Sequence, residues 1–109
     1  MKTYDLALDT VRDVAVINRI IARTDQDLAR QLSRCSMSMP LNINEGMYSR
    51  GKNRSARRTD AMASAKQSVA CLEVAAAVGY VGRDSITECL GRLDHLVAAL
   101  WNMIHRPWR

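Results

Sequence analysis

Apolar residues recur at steps of three and four along most of the chain, the spacing of one face of an α-helix. Outside the second helix, these stripes consist of Ala7, Val11, Val14, Ile17 and Ile21, then Met62, Ala65, Val69, Leu72 and Ala76, and finally Ile86, Leu90, Leu93, Val97, Leu100 and Ile104. The pattern predicts helices over residues 1–24, from about Arg54 to Val78, and over the last quarter of the chain. Short links between helices favour an all-α, up-and-down antiparallel four-helix bundle about 30 Å long.

The second predicted helix, from about Asp27 to Tyr48, contains a proline. Its stripe is Leu28, Leu32, Cys35, Met39, Asn42 or Ile43, and Gly46. A proline inside a helix removes one backbone hydrogen bond and crowds the carbonyl four residues earlier, at a cost of roughly 3 kcal/mol. Because the stripe continues past Pro40, we expect the helix to kink there rather than end, with Ser36, Ser38 or Asn42 bonding to the freed carbonyls.

Polar residues and glycines mark the ends of the first three helices. The segment 24–27 predicts a turn and a cap before helix two. Asn53 or Ser55 is the expected cap of helix three. Gly79 follows that helix as a left-handed terminator, after which Tyr80 and Val81 are expected to fold back over its end.

The fourth helix has its own boundary signals. Asp84 or Ser85 is the expected cap, and Glu88 lies three residues after Ser85, as in a capping box. Pro107 is expected to end the helix, since proline cannot continue it.

Length and composition indicate one domain, residues 1–109. Hydrophobic residues make up 48% of the chain, yet phenylalanine is absent, so the expected core is aliphatic and rich in alanine. No apolar run is long enough to cross a bilayer and no export signal is evident. We therefore expect a cytoplasmic protein without a membrane partner.

The net charge of +5 is concentrated in residues 50–58, because the rest of the chain has equal numbers of basic and acidic residues. The basic residues of this segment are Arg50, Lys52, Arg54, Arg57 and Arg58. Their position between helices two and three predicts a basic turn that receives anions such as nucleic-acid phosphates. The alternative is a solvated connector that keeps the protein soluble.

The segment Met39-Pro40-Leu41-Asn42-Ile43-Asn44-Glu45-Gly46 resembles a signature of the small four-helix-bundle proteins encoded in 23S ribosomal RNA intervening sequences. That group includes relatives of the accessory protein of diversity-generating retroelements. The basic segment and the sequence around Gly79-Tyr80 are also similar, whereas Asn44 replaces the usual alanine. The resemblance implies an antiparallel bundle that commonly assembles as a pentameric ring and has no known enzymatic activity.

Three polar residues of this motif have two interpretations. Asn42 and Glu45 share a helix face near the core, so a partly buried polar group is expected there. The structural interpretation is that Asn42, Asn44 and Glu45 brace the kink or a neighbouring helix, with Arg57, Arg58 or Lys66 pairing with Glu45. The other interpretation is a ligand site.

No catalytic or cofactor site is evident in the sequence. Cys35, Cys71 and Cys89 are widely separated and odd in number, which favours reduced core thiols over disulfides or zinc ligands. His95 and His105 have no partner at metal-ligand spacing. We therefore expect a protein that is not an enzyme and binds neither metal nor cofactor.

Some apolar residues exceed what one bundle core requires. They are Val16, Ile20, Val74, Val78, Leu96 and Met103. Such a surplus indicates a homo-oligomeric interface, for which the pentamer is favoured by the resemblance. The alternative is a monomer with a wide core.

Two functions therefore remain open. The first is an oligomeric protein that binds RNA or DNA phosphates through the basic turn. The second is a protein-interaction scaffold, such as an accessory subunit of a reverse transcriptase or another nucleic-acid enzyme.

Overall fold

Four helices account for most of residues 1–106, the part of the chain that this computed structural model describes. α1 spans Lys2–Ile21, α2 spans Gln26–Met47, α3 spans Gly51–Ala77 and α4 spans Arg83–His105. The described residues contain no strand, so the all-α prediction is confirmed. The prediction that Pro107 ends α4 lies outside the described residues.

Each helix buries one stripe against the others, as its periodicity predicts. The buried residues are Ala7, Thr10, Val14, Ile17 and Ile21 of α1, Ala29, Leu32, Cys35, Ser36, Met39, Pro40, Ile43 and Gly46 of α2, Ala61, Ala65, Ser68, Cys71, Leu72 and Ala75 of α3, and Ile86, Cys89, Leu93, Leu96 and Leu100 of α4. Leu96 is 0% exposed, so its assignment to a surplus surface was wrong. Because α4 packs against both α1 and α3, it buries a wider face than contact with a single helix would.

The predicted signals at the ends of α2 and α3 are largely confirmed. Asp25 precedes α2, and its carboxylate accepts a hydrogen bond from the backbone N–H of Leu28 at 2.9 Å. Gly79 has a φ of 84°, in the left-handed region, and Tyr80 N–H donates to the carbonyl of Ala75 at 2.8 Å. Val81 is buried behind this turn.

The predicted cap of α4 was wrong. Gly82 is the N-cap residue and no side chain caps the helix. The hydroxyl of Ser85 donates to the carbonyl of Gly82 at 2.6 Å instead, and Glu88 pairs with Arg92 one turn later. Ser85 lies inside the first turn, where a hydroxyl back-bonds to a carbonyl rather than accepting from the orphan N–H groups.

Neighbouring helices around the bundle are α1 and α2, α2 and α3, α3 and α4, and α4 and α1. Ser64 Oγ of α3 donates to Ser38 Oγ of α2 at 2.9 Å, and beyond the helix ends Tyr80 Oη, after α3, donates to Oδ2 of Asp25, the N-cap residue of α2, at 3.1 Å. The molecule measures 43 × 22 × 19 Å. It is longer than the 30 Å expected because α3 alone has 27 residues.

None of the described helices combines the length and the apolar character that a membrane span requires.

Candidate nucleic-acid interface

The basic residues lie at the start of α3, which begins at Gly51 and not near Arg54, where the sequence placed it. Arg50 is the N-cap residue of α3, and Lys52, Arg54, Arg57 and Arg58 belong to its first turns. Neither Asn53 nor Ser55 caps the helix. Gly51 has a φ of 58°, a conformation that favours glycine, so the chain reverses there and the helix begins earlier than expected.

Ser49 makes several hydrogen bonds in the short connector from α2 to α3. Its hydroxyl donates to the carbonyl of Glu45 at 2.8 Å and accepts from Asn53 Nδ2 at 2.9 Å. Arg54 Nε donates to the carbonyl of Ser49 at 2.9 Å. Arg54 therefore holds the connector in place, and its charge is partly committed to that carbonyl.

Arg57 joins the start of α3 to the end of α2. Its Nη1 lies 3.5 Å from Glu45 Oε2 and its Nη2 lies 3.4 Å from Asp60 Oδ2. Arg57 is thus the partner of Glu45, one of the three that the sequence suggested. Glu45 is exposed, whereas Asn42 is half-buried, so the partly buried polar group expected on this face is Asn42. Buried Gly46 lies beside this pair, and a Cβ there would be 3.5 Å from the Cβ of Arg57.

Arg58 connects α3 with the carboxyl end of α4. Its Nη1 donates to the carbonyl of Met103 at 3.3 Å, across 45 positions of the sequence. The last carbonyls of a helix lack intrahelical donors and carry partial negative charge, so a guanidinium is a suitable partner. Burial lowers the pKa of Arg58 below its ordinary value, and the charge of Arg54 lowers it further.

Arg50 and Lys52 differ from the other three. Both are exposed, and within residues 1–106 neither side chain makes an ion pair or hydrogen bond. The structure thus divides the basic segment into three arginines that hold helices together and two cations that face solvent.

The remaining motif residues lie along α2. Pro40 is buried inside the helix, and Asn44 is exposed. Asn42 Nδ2 donates to the carbonyl of Ser38 at 3.0 Å and to its hydroxyl at 2.9 Å. The hydroxyl of Ser36 donates to the carbonyl of Ser33 at 3.1 Å. These donors therefore brace the helix on either side of Pro40, not at the carbonyl of Ser36 as expected.

Sequence reasoning missed residues of α4 that share this end of the bundle. Because Arg58 reaches Met103, the end of α4 lies beside the basic segment. Trp101 and His105 stack there with ring centroids 4.1 Å apart, and Arg106 follows the helix. Tyr48, between α2 and the basic residues, is 81% exposed. Only Tyr48 had a signal in the sequence, since it lies two residues before Arg50.

The three cysteines are buried free thiols far from the basic segment. Burial raises the pKa of Cys71 to about 11, with a further contribution from Cys35. Burial, followed by the charge of Asp13, raises the pKa of Cys89 to about 11. Among residues 1–106 no group of three or more metal-ligating side chains occurs.

Comparisons with known proteins agree with this architecture. Residues 1–102 match the sequence model of a family described as 23S rRNA-intervening sequence protein. A similar solved structure is a protein of unknown function from the S23 ribosomal protein family of Bacteroides thetaiotaomicron, with a TM-score of 0.86 and 15% sequence identity, covering 94% of this chain and 97% of that chain. At that identity, the similarity establishes the fold alone. A comparison with curated protein sequences gave no match.

Proposed function

The chain belongs to the 23S rRNA-intervening sequence protein family, and from its charge distribution we propose that it is a non-enzymatic protein that binds RNA or DNA phosphates. The observation that carries this proposal is the pair Arg50 and Lys52, which extend into solvent at the start of α3 without a partner among residues 1–106. Arg54, Arg57 and Arg58 add positive potential behind them while fixing the backbone.

The cations at the start of α3 suit contacts with the phosphate backbone and not with base edges. Cations that neutralise phosphates release counterions, which gives affinity without sequence preference and a strong dependence on salt. The amino end of α3 has no side-chain cap, so its orphan N–H groups add to the positive potential.

The double variant Arg50→Gln/Lys52→Gln tests the proposal. We expect weaker binding of a labelled RNA or DNA oligonucleotide, together with a shallower dependence of log K on log salt. Loss of two phosphate contacts on duplex DNA reduces that slope by about 1.8. Fluorescence anisotropy at several salt concentrations measures both quantities.

Arg19→Gln/Arg23→Gln is the matched control, because exposed Arg19 of α1 and Arg23 just after it lie near the end of α3 rather than its basic start, and their loss changes the net charge equally. Equal weakening by the two double variants would show that only overall charge matters. Absence of binding by the unaltered protein at low salt would reject the function.

We further infer that the bundle is up-and-down and antiparallel. Arg57 contacts Glu45, Ser64 contacts Ser38, and Tyr80 contacts Asp25. Residue numbers therefore increase from α3 to the turn after it while those of their partners decrease along α2, as in two antiparallel helices. Arg58 at the start of α3 bonds to Met103 near the end of α4, and with the short link between these helices this contact makes them antiparallel as well.

A bend of α2 at Pro40 is part of the same proposal. Pro40 has no N–H for the carbonyl of Ser36, and its ring crowds that carbonyl. Donation by Asn42 to Ser38 stabilises the turn that follows the bend.

We also propose that the protein assembles as a cyclic homo-oligomer, of which a pentamer is the form that the family resemblance favours. The exposed apolar residues include one pair on α1, Val16 and Ile20, and one at the end of α3, Val74 and its C-cap residue Val78. A ring would repeat the basic end of each bundle, which consists of the start of α3 and the adjoining end of α4, around the ring axis. The number of phosphate contacts would rise accordingly. Buried free thiols suit a reducing compartment, so we place the protein in the cytoplasm.

The second candidate is a protein-interaction scaffold, such as an accessory subunit of a reverse transcriptase. Exposed Met37 and Leu41 lie four residues apart on α2 and favour it, because they form an apolar strip on one helix face. Met37→Arg/Leu41→Arg should abolish co-purification with such an enzyme while leaving oligonucleotide binding intact. Unchanged co-purification would remove this strip as the docking site.

A further inference from the structure

Two exposed aromatic groups flank the basic end of the bundle. Tyr48 lies two residues before Arg50 and is 81% exposed. Trp101 lies on α4, two residues before the Met103 carbonyl that accepts from Arg58, and is 47% exposed. A single exposed ring is ordinary on a protein surface, whereas two rings beside the same cations offer stacking faces next to the groups that would hold a phosphate backbone.

The two rings are held in different ways. Trp101 stacks on His105 with ring planes inclined by 22°, and His105 Nδ1 lies 2.9 Å from the carbonyl of Trp101. This contact covers part of the indole and fixes its orientation, while the remaining surface faces solvent. Tyr48 closes the end of α2 as its C-cap residue, with its backbone N–H bonded to the carbonyl of Glu45 at 3.2 Å.

From this arrangement we propose that the nucleic acid bound at the basic end is single-stranded and that its bases stack on Tyr48 and Trp101. In a duplex the bases are already stacked on each other, so exposed rings gain nothing from them. In a single strand each base presents a face, and cations that track the backbone combined with aromatic stacking platforms are the usual means of binding it. This inference rests on the proposed function, since without phosphate binding the rings have no strand to receive.

Three oligonucleotides of equal length test the inference: a single strand, the same strand with abasic sites, and a duplex. The abasic strand keeps every phosphate but has no base to stack. We expect the single strand to bind more tightly than the abasic strand. Tyr48→Ala/Trp101→Ala should weaken binding of the base-bearing strand about fivefold or more and leave the other two unchanged.

The conservative variant Tyr48→Phe/Trp101→Phe is the matched control, because it keeps both rings and should retain most of the affinity. Circular dichroism of each variant checks that the helices remain folded. A second readout is the indole fluorescence of Trp108→Phe, in which Trp101 is the single tryptophan; stacking of a base should quench it with the single strand and not with the abasic one.

The outcomes separate this inference from the proposed function. Equal binding of the base-bearing and abasic strands, a preference for the duplex, or no effect of removing the rings would overturn base stacking while leaving phosphate binding in place. Absence of binding to all three oligonucleotides would overturn both.

Discussion

Gly46 lies where the start of α3 packs closely against α2. A Cβ at this position would be 3.5 Å from Arg57 Cβ and 3.8 Å from both the Arg54 carbonyl oxygen and Arg58 Cγ, which are ordinary van der Waals distances. Gly46→Ala should therefore fit and raise the free energy of unfolding by up to about 1 kcal/mol, the helix-propensity difference between the two residues. Urea denaturation measures this change.

Gly46→Leu is the matching test of the same contact. Its longer side chain must displace Arg57 or Arg58, or push the two helices apart, so we expect lower stability than in Gly46→Ala and disturbance of the Arg57–Glu45 pair. A leucine variant as stable as the alanine variant would contradict the close approach.

The buried thiols give the protein a predictable alkaline sensitivity. In the unfolded chain a cysteine ionises near its ordinary pKa of 9.0, whereas in the folded protein the pKa of Cys71 and that of Cys89 are about 11. The unfolded state therefore loses protons first, and stability that is complete below pH 9 should decline as the pH rises to about 11.

Urea midpoints measured from pH 7 to 11 check this prediction, with Cys71→Ala/Cys89→Ala as the comparison. The variant should be less stable at pH 7 because of lost packing, yet its stability should fall less steeply above pH 9. Identical pH profiles would show that these thiols do not contribute to the decline.

At the scale of elements, Asp25 ties the start of α2 to the end of α3. Its carboxylate accepts from Leu28 N–H and from Tyr80 Oη, and these bonds lower the pKa of Asp25 below 3.8, the Leu28 bond contributing most. A lowered pKa stabilises the fold above the unfolded value, so this contribution should disappear as the pH falls below about 4.

Three substitutions separate the two bonds of Asp25. Asp25→Asn keeps one acceptor oxygen for the Leu28 N–H, places a donor amide nitrogen beside Tyr80 Oη and cannot ionise, so it should remove this part of the acid sensitivity. Asp25→Ala should lower the melting temperature more than Tyr80→Phe, since it loses the helix cap as well as the tyrosine bond. The reverse order would mean that the tyrosine contact, not the cap, dominates.

The element boundaries show what the sequence could predict. Periodicity located the buried stripes of α1 and α4, and Asp25 and Gly79 carried local signals that no tertiary contact overrides. The start of α3 was placed too late, because Asn53 and Ser55 resemble caps while the deciding feature is the positive φ of Gly51. A cap preference does not reveal which backbone conformation a neighbouring glycine adopts.

At the scale of the whole molecule, the basic run could be found from the sequence but its division of roles could not. Arg58 bonds to a carbonyl 45 positions away, and Arg57 to a carboxylate 12 positions away. The sequence offered Arg57 as one of three partners for Glu45, but only the closed bundle reveals that both arginines are committed to structure while Arg50 and Lys52 face solvent. The aromatic groups of α4 join the same end for the same reason.

The proposed ring depends on two different apolar faces. Val16, which is 59% exposed, and Ile20 lie on α1, whereas Val78, which is 57% exposed, and Val74 lie on α3. α1 and α3 are diagonal in the bundle, since each has α2 and α4 as its neighbours. A cyclic assembly larger than a dimer uses a heterologous interface, in which one face of each copy meets a different face of the next.

Two double variants test this geometry by light scattering. Val16→Glu/Ile20→Glu and Val74→Glu/Val78→Glu should each be monomeric, because each destroys one half of every interface. Mixed in equal amounts, they should form a dimer and nothing larger, since one variant keeps the intact α1 face and the other keeps the intact α3 face. A variant that still forms the full ring would exclude its face from the interface. If the mixture stays monomeric although both variants are folded, the two faces do not pair with each other, and the apolar pairs serve separate partners.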